Sequence, residues 1–173
     1  MITEIRKGLN VKRFHTTVRI QEETVGHHSA NVAAILLRLE PDCSRDVLVA
    51  ALMHDVDEVY TGDVPAPFKW DNPDAKHALA VGGMDYVDKH DIPYPHLSEH
   101  DANLLKLADM ADLVLSSLEE LNRGNRYAKE LITNGQNFIK KMYLDSKVTD
   151  QHIAALGTMV YEIKKEGRQD VEE

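Results

Sequence analysis

Two imidazoles and two carboxylates, spread over three stretches of the chain, are the side chains with the chemistry to hold a divalent cation. The strongest local feature is Met53-His54-Asp55-Val56-Asp57-Glu58. Adjacent His and Asp can ligate one metal where a helix ends or opens towards a cavity, although an isolated pair of this kind also reads as a capped or surface pair. The apolar run before it, Val47 to Met53, belongs in a core. Charged side chains emerging from a buried helix need a compensating partner, and a metal ion is one. Glu58 lies three residues past Asp55 and four past His54, which on a continuous helix puts it on their side.

Two further candidates fall on helices expected to pack against this one. His28 begins an apolar stripe, and alone it reads as a satisfied helix-end histidine. Asp109 interrupts Leu104-Leu-Lys-Leu-Ala-Asp-Met-Ala, the most hydrophobic stretch of the chain. A carboxylate on that stripe must be paired or bound to a cation. Asp112, one turn later, competes for the role, with an exposed or supporting carboxylate as its alternative. Taken together, His28, His54, Asp55 and Asp109 make a coherent divalent-metal site. Nine histidines among 173 residues point the same way.

The elements that must position these residues are helical. Val32, Ile35, Leu36 and Leu39 recur at spacings of three and four, predicting a helix over Thr24 to Leu39 that Pro41 ends. Ser44 is an N-cap for a helix whose apolar face is Val47, Leu48, Ala51 and Leu52. Asn72-Pro73 opens a helix from about Asp74 to His90, weakened by Gly82-Gly83. Ser98 with Asp101 resembles a capping box before Leu104, Leu105, Ala108, Ala111, Leu115 and Leu118, and Gly124 is the stop. Arg126 to Leu144 and Asp150 to Lys165 are amphipathic, the latter through Ile153, Leu156, Val160 and Ile163. No stretch alternates as a strand would. The prediction is an all-α chain of about six to seven helices in one domain over residues 1–173. Tyr60 to Trp70 is expected to be a rigid, partly buried loop, and Arg168 to Glu173 a frayed tail.

Acidic residues outnumber basic ones, 29 to 20, for a formal charge of −9. That balance argues against a nucleic-acid-binding surface, which needs clustered cations. The single cysteine, Cys43, cannot form an internal disulfide. No apolar run reaches the roughly 18 residues of a membrane span, and the N-terminus lacks the apolar core of a signal peptide. The expectation is a cytoplasmic protein with no membrane partner.

The order His28 … His54-Asp55 … Asp109 resembles the H…HD…D signature of HD-domain metal-dependent phosphohydrolases. Thr24-Val-Gly-His-His-Ser, His54-Asp-Val-Asp-Glu-Val-Tyr-Thr-Gly-Asp-Val-Pro-Ala-Pro-Phe-Lys and Lys106-Leu-Ala-Asp-Met are similar to blocks of the bacterial 5′-deoxynucleotidases. They equally resemble short phage enzymes that hydrolyse deoxynucleoside triphosphates, dATP triphosphohydrolases among them. The likeness covers about Lys12 to Gly124. HDxxE followed by TGDxPxPxK is its most specific part. Arg13-Phe14-His15-Thr16 resembles the start of the phage-type members and tilts the expectation towards a triphosphohydrolase. The alternatives are a 5′-deoxynucleotidase acting on monophosphates and, less favoured, a non-catalytic nucleotide-binding HD protein. His27 stands where the family usually has Glu, which leaves two adjacent histidines; Ser29 selects His28.

The resemblance implies an HD-domain helical bundle, a deoxynucleotide substrate and a catalytic Glu58 that orients or deprotonates water. Asp63 is a candidate to bind a ribose hydroxyl or protonate the leaving oxygen, with a turn or cap role as its alternative. Arg13 and Lys69 are candidate phosphate clamps, since a net-acidic protein must place cations locally. Phe14 is a candidate to stack on a base, with a place in the core as its alternative, and Trp70 is open between the same two roles; Thr16 and Tyr60 are candidates to border the sugar. The ligand set suits Mn²⁺, Co²⁺, Zn²⁺ or a similar transition ion. A second metal is compatible with a triphosphate substrate, and His15, His27, His77 and His100 are available in number for it. The resemblance also implies a homo-oligomer, a dimer or a hexameric ring, acting in the host cytoplasm if phage-encoded.

Overall fold

The computed structural model describes residues 1–169. Among them the chain forms α1 (Ile2–Leu9), α2 (Val25–Leu39), α3 (Arg45–Met53), α4 (Glu58–Thr61), α5 (Ala66–Asp71), α6 (Pro73–Lys89), α7 (Glu99–Asn122), α8 (Ala128–Leu144) and α9 (Asp150–Gln169). The sole strand-like pairing among the described residues is an isolated antiparallel bridge between Lys12 and Thr24. The all-α expectation holds, with more helices than the periodicity suggested. The additional ones are α1, α4 and α5, of 8, 4 and 6 residues, too short to show a helical repeat.

The long helix α7 is the centre of the packing and touches α2, α3, α8 and α9. Its Leu104, Leu107, Ala108 and Ala111 are almost wholly buried against Val32 and Leu36 of α2 and Val47, Ala50 and Ala51 of α3. Burying each large aliphatic side chain contributes about 1.5–3 kcal/mol. The face of α3 is rotated from the one predicted: Ala50 is buried and Leu52 exposed. Helix starts follow the sequence. Thr24 accepts from His27 N–H, Ser44 from Val47 N–H and Ser98 from Asp101 N–H. The Asp101 carboxylate instead accepts the Ser44 hydroxyl at 3.0 Å, tying α7 to α3. Asn72 does not cap α6; its side-chain amide donates to Phe68 O. Gly124, at φ +97, ends α7 as expected.

Tyr60 to Trp70 departs from prediction. It holds the end of α4 and most of α5, and Tyr60, Phe68 and Trp70 are exposed because α5 packs on α6 and α6 on α4 rather than on the main core. Of the expected frayed tail, Arg168 and Gln169 continue the backbone of α9 and the remaining four residues lie outside the described ones. Among the described residues no helix is long and apolar enough to cross a membrane.

Candidate metal centre and active site

Helix α3 ends at Met53, and His54 to Asp57 form a turn before α4 restarts at Glu58. Val56 N–H donates to Met53 O and Glu58 N–H to Asp55 O, closing that turn. Val56 is fully buried and pins it, so His54 and Asp55 turn aside from the core. Glu58 is therefore not on the same helix as the His-Asp pair, contrary to the continuous helix that the spacing suggested.

The turn brings His54 to His28, near the start of α2. The two Nε2 atoms are 3.2 Å apart. His28 Nε2 lies 3.3 Å from Asp109 Oδ1 and 3.7 Å from Asp55 Oδ2, and His54 Nε2 lies 3.4 Å from Asp55 Oδ2. All four residues expected to converge do so. Donor atoms of His28, His54 and Asp109 lie within 4.8 Å of one another.

The far sides of both rings are fixed. His54 Nδ1 is 2.8 Å from Ala51 O, an acceptor only, so the ring proton sits there and Nε2 carries the lone pair in the neutral ring. His28 Nδ1 is 2.7 Å from Asp112 Oδ2, which orients the other Nε2 the same way. Two inward nitrogens beside two carboxylates match the donor chemistry of a divalent transition ion. Of the two adjacent histidines, His28 is buried beside His54 and Asp109, and His27 is exposed. Asp112, a competing candidate for ligation, is buried and bonded to the far nitrogen of His28.

Burial disfavours charge on His28, yet hydrogen bonds to Asp109 and Asp112 prevail and push its pKa up to about 9. Asp109 is half-buried, and desolvation opposes its ionisation, but the His28 hydrogen bond and Lys106, 2.6 Å from Oδ2, hold it well below the usual carboxylate range. Glu58 is pushed up to about 8, first by burial and then by Asp55 and Asp63; Arg13 and Lys69 oppose this. Its Oε2 is buried without a hydrogen-bond partner.

The expected substrate residues are placed less simply. Arg13 directs Nη1 to Asp55 Oδ2 at 2.7 Å and Nε to Glu23 Oε1 at 3.1 Å. Burial opposes its charge, but Asp55 and Glu23 raise its pKa overall. The guanidinium is thus engaged by two carboxylates. Phe14 sits in the left-handed region at φ 57, held by its N–H donating to Asp63 Oδ2 at 2.8 Å. The Arg19 guanidinium lies 4.4 Å from the Phe14 ring centroid. Lys69, on α5, is half-buried and Thr16 is exposed. His15 and His77 are exposed, and His100 pairs with Glu40 at 3.0 Å.

Sequence reasoning missed Glu23, which is buried and bridges Arg13 and Arg19. It also missed Tyr94, whose pKa rises through burial and then through Asp55 and Asp57. Glu23, His28 and Asp112 form a second buried group of possible ligands, sharing His28 with the first.

Residues 2–81 match the family model described as 5′-deoxynucleotidase YfbR-like. A 5′-deoxynucleotidase of Yersinia pestis (strain Pestoides F) is 28% identical over 138 residues, covering 66% of this chain and 70% of that protein. A 5′-deoxynucleotidase of Yersinia pseudotuberculosis serotype O:3 (strain YPIII) matches equally. In structure, the cyanophage S-2L HD phosphohydrolase DatZ, bound to dA and one catalytic Zn²⁺, aligns with a TM-score of 0.72 at 19% identity, over 95% of this chain and 97% of that one. The chain therefore shares the fold of this HD phosphohydrolase. An HD-domain phosphohydrolase from Listeria innocua shares the fold, with a TM-score of 0.63 at 18% identity and the same coverage. The family match contains His28, His54, Asp55, Glu58 and Asp63 and stops short of Asp109. Geometry alone brings Asp109 to the others.

Proposed function

We propose that this chain is an HD phosphohydrolase that, acting as one domain over residues 1–173, hydrolyses the 5′-phosphoester of deoxynucleotides to release the deoxynucleoside. The observation carrying this reading is the approach of two inward-facing Nε2 atoms, 3.2 Å apart, beside Asp55 and Asp109. His28, His54, Asp55 and Asp109 would hold a divalent cation. Such a cation supplies Lewis-acid charge to a phosphoryl oxygen and acidifies water. Asp112 and Ala51 O keep the imidazoles oriented. Glu58, with its buried Oε2 lacking a hydrogen-bond partner and its pKa raised to about 8, is suited to take the proton of attacking water. Arg13 and Lys69 place positive charge beside Glu58, where a phosphate would enter. Asp63 fixes Phe14, and through it the wall on which a base would rest.

The phosphate chain length divides two readings. A triphosphate is supported by the resemblance of the Arg13-Phe14-His15-Thr16 start to the phage-type enzymes, while the dA bound to the cyanophage protein of the same fold fits a deoxynucleoside product of either reading. A monophosphate is supported by the family model and the Yersinia relatives, and these outweigh the first where sequence is compared. Incubation with the four common dNTPs and four dNMPs plus Mn²⁺ or Co²⁺, followed by product identification, separates them. Tripolyphosphate indicates the first, orthophosphate from a dNMP the second. Failure to release a deoxynucleoside from any of the eight overturns the proposal. We place the protein in the cytoplasm, with its nucleotide substrates, as a homo-oligomer; sedimentation of the purified protein tests the latter.

A further inference from the structure

Three helical glycines lie at close approaches around the segments that carry the proposed ligands, and none of them is at positive φ. Their small size, not conformational freedom, is what the fold uses. Gly26, two residues before His28, faces α1: a methyl group there would stand 2.9 Å from Leu9 O and 3.2 Å from Leu9 Cβ. Gly8, in the last turn of α1, faces the turn that carries His54 and Asp55. A methyl group there would overlap Val56 O and stand 2.8 Å from Val56 Cγ1. Gly83 of α6 faces the same turn, and the Asp57 carboxylate occupies the place its methyl would need. Ile5, Val56 and Ile92 form a small core of their own here, and Tyr86 Oη donates to Glu4 Oε2 at 2.5 Å, joining α6 to α1. A helical glycine costs up to about 1 kcal/mol relative to alanine, so close packing has to offset it.

We propose that the last turn of α1 is a spacer that sets the distance between the two ligand-bearing segments, with Gly8 and Gly26 as positioning residues. One side of the spacer touches the start of α2, which carries His28. The other touches Val56, the residue after Asp55. His28 is fixed independently by Asp112, so pushing Val56 away moves His54 and Asp55 relative to an anchored partner. The atom obstructing a side chain at Gly8 is a backbone carbonyl, which moves only with the turn itself. At Gly83 the obstacle is a side chain, which has rotamers available. Ligand sets hold a metal only within about 0.5 Å of their productive geometry.

This inference rests on the metal site proposed above. Calorimetric titration of the metal-free full-length chain with Mn²⁺ tests it, using wild type, Gly8→Ala, Gly26→Ala and Ile5→Val. Gly8→Ala should bind Mn²⁺ about 10–100-fold more weakly, the range seen when the support of a ligand is lost, and Gly26→Ala several-fold more weakly. Ile5→Val removes a methylene from the same small core without pushing on the turn; it should melt lower and bind Mn²⁺ as wild type does. Wild-type affinity in Gly8→Ala, or equal weakening in Ile5→Val, overturns the spacer. If circular dichroism shows Gly8→Ala unfolded, Gly26→Ala becomes the deciding variant, and wild-type affinity there overturns the spacer. A wild-type protein that binds no Mn²⁺ overturns the site reading and the spacer with it, an outcome distinct from the others.

Discussion

Replacing Glu58 with Gln should stabilise the metal-free protein at alkaline pH while removing its activity. Burial and the charges of Asp55 and Asp63 raise the Glu58 pKa from 4.5 to about 8. A carboxyl with a raised folded-state pKa binds its proton more tightly folded than unfolded. Its contribution is therefore fully present below pH 4.5 and is lost as pH climbs to about 8. Each step of one in pKa is worth about 1.4 kcal/mol, so the full swing is about 5 kcal/mol. Partial exposure and screening reduce this to about 2 kcal/mol. Gln cannot ionise and has no such loss. Thermal melts of chelator-treated protein at about pH 5, 7 and 9 should show wild type falling behind Glu58→Gln by a further ~4–8 °C across the range, at ~2–4 °C per kcal/mol for a chain of this size. With metal restored, the same variant should lose about 10²–10⁴-fold in turnover, the usual contribution of a general base. Parallel melting curves across the pH range would refute the electrostatic reasoning. Turnover within tenfold of wild type would refute the catalytic one.

Other substitutions probe the supports of the site. Asp112→Asn takes the anionic acceptor from His28 Nδ1, 2.7 Å away; divalent-metal affinity measured by chelator competition should fall about 10–100-fold. His28, pushed up to about 9 in the metal-free state, must lose its proton to ligate, so apparent affinity should rise with pH up to about 9 and level off above it. Potentiometric proton release on metal addition checks this, and an affinity independent of pH between about 6 and 8 contradicts it. Leu107→Ala empties a fully buried position on α7 and should cost about 2–5 kcal/mol in denaturant unfolding.

The long elements were legible because each buries one face. The stripe Val32, Ile35, Leu36 and Leu39 and the α7 series recur at helical spacing, and Thr24, Ser44 and Ser98 announce their starts. Helix α1 was not, since eight residues with Ile2, Ile5 and Leu9 repeat too little to signal a helix. Its role depends on Gly8 meeting a residue 48 positions later, which no local pattern shows. The His28, His54, Asp55 and Asp109 convergence was readable because charged groups on apolar stripes demand a partner. The engagement of Arg13 by Glu23 and Asp55 was hidden, because those contacts depend on how the loop before α2 folds back. The exposure of Phe68 and Trp70 was also misjudged, since aromatic residues signal burial only where a neighbouring element covers them.

Anomalous diffraction from crystals soaked in Mn²⁺ addresses the central claim most directly. The account predicts one strong peak within ligand distance of His28 Nε2, His54 Nε2, Asp55 and Asp109, absent from His54→Ala crystals. A peak placed elsewhere, or one that persists without His54, would contradict it.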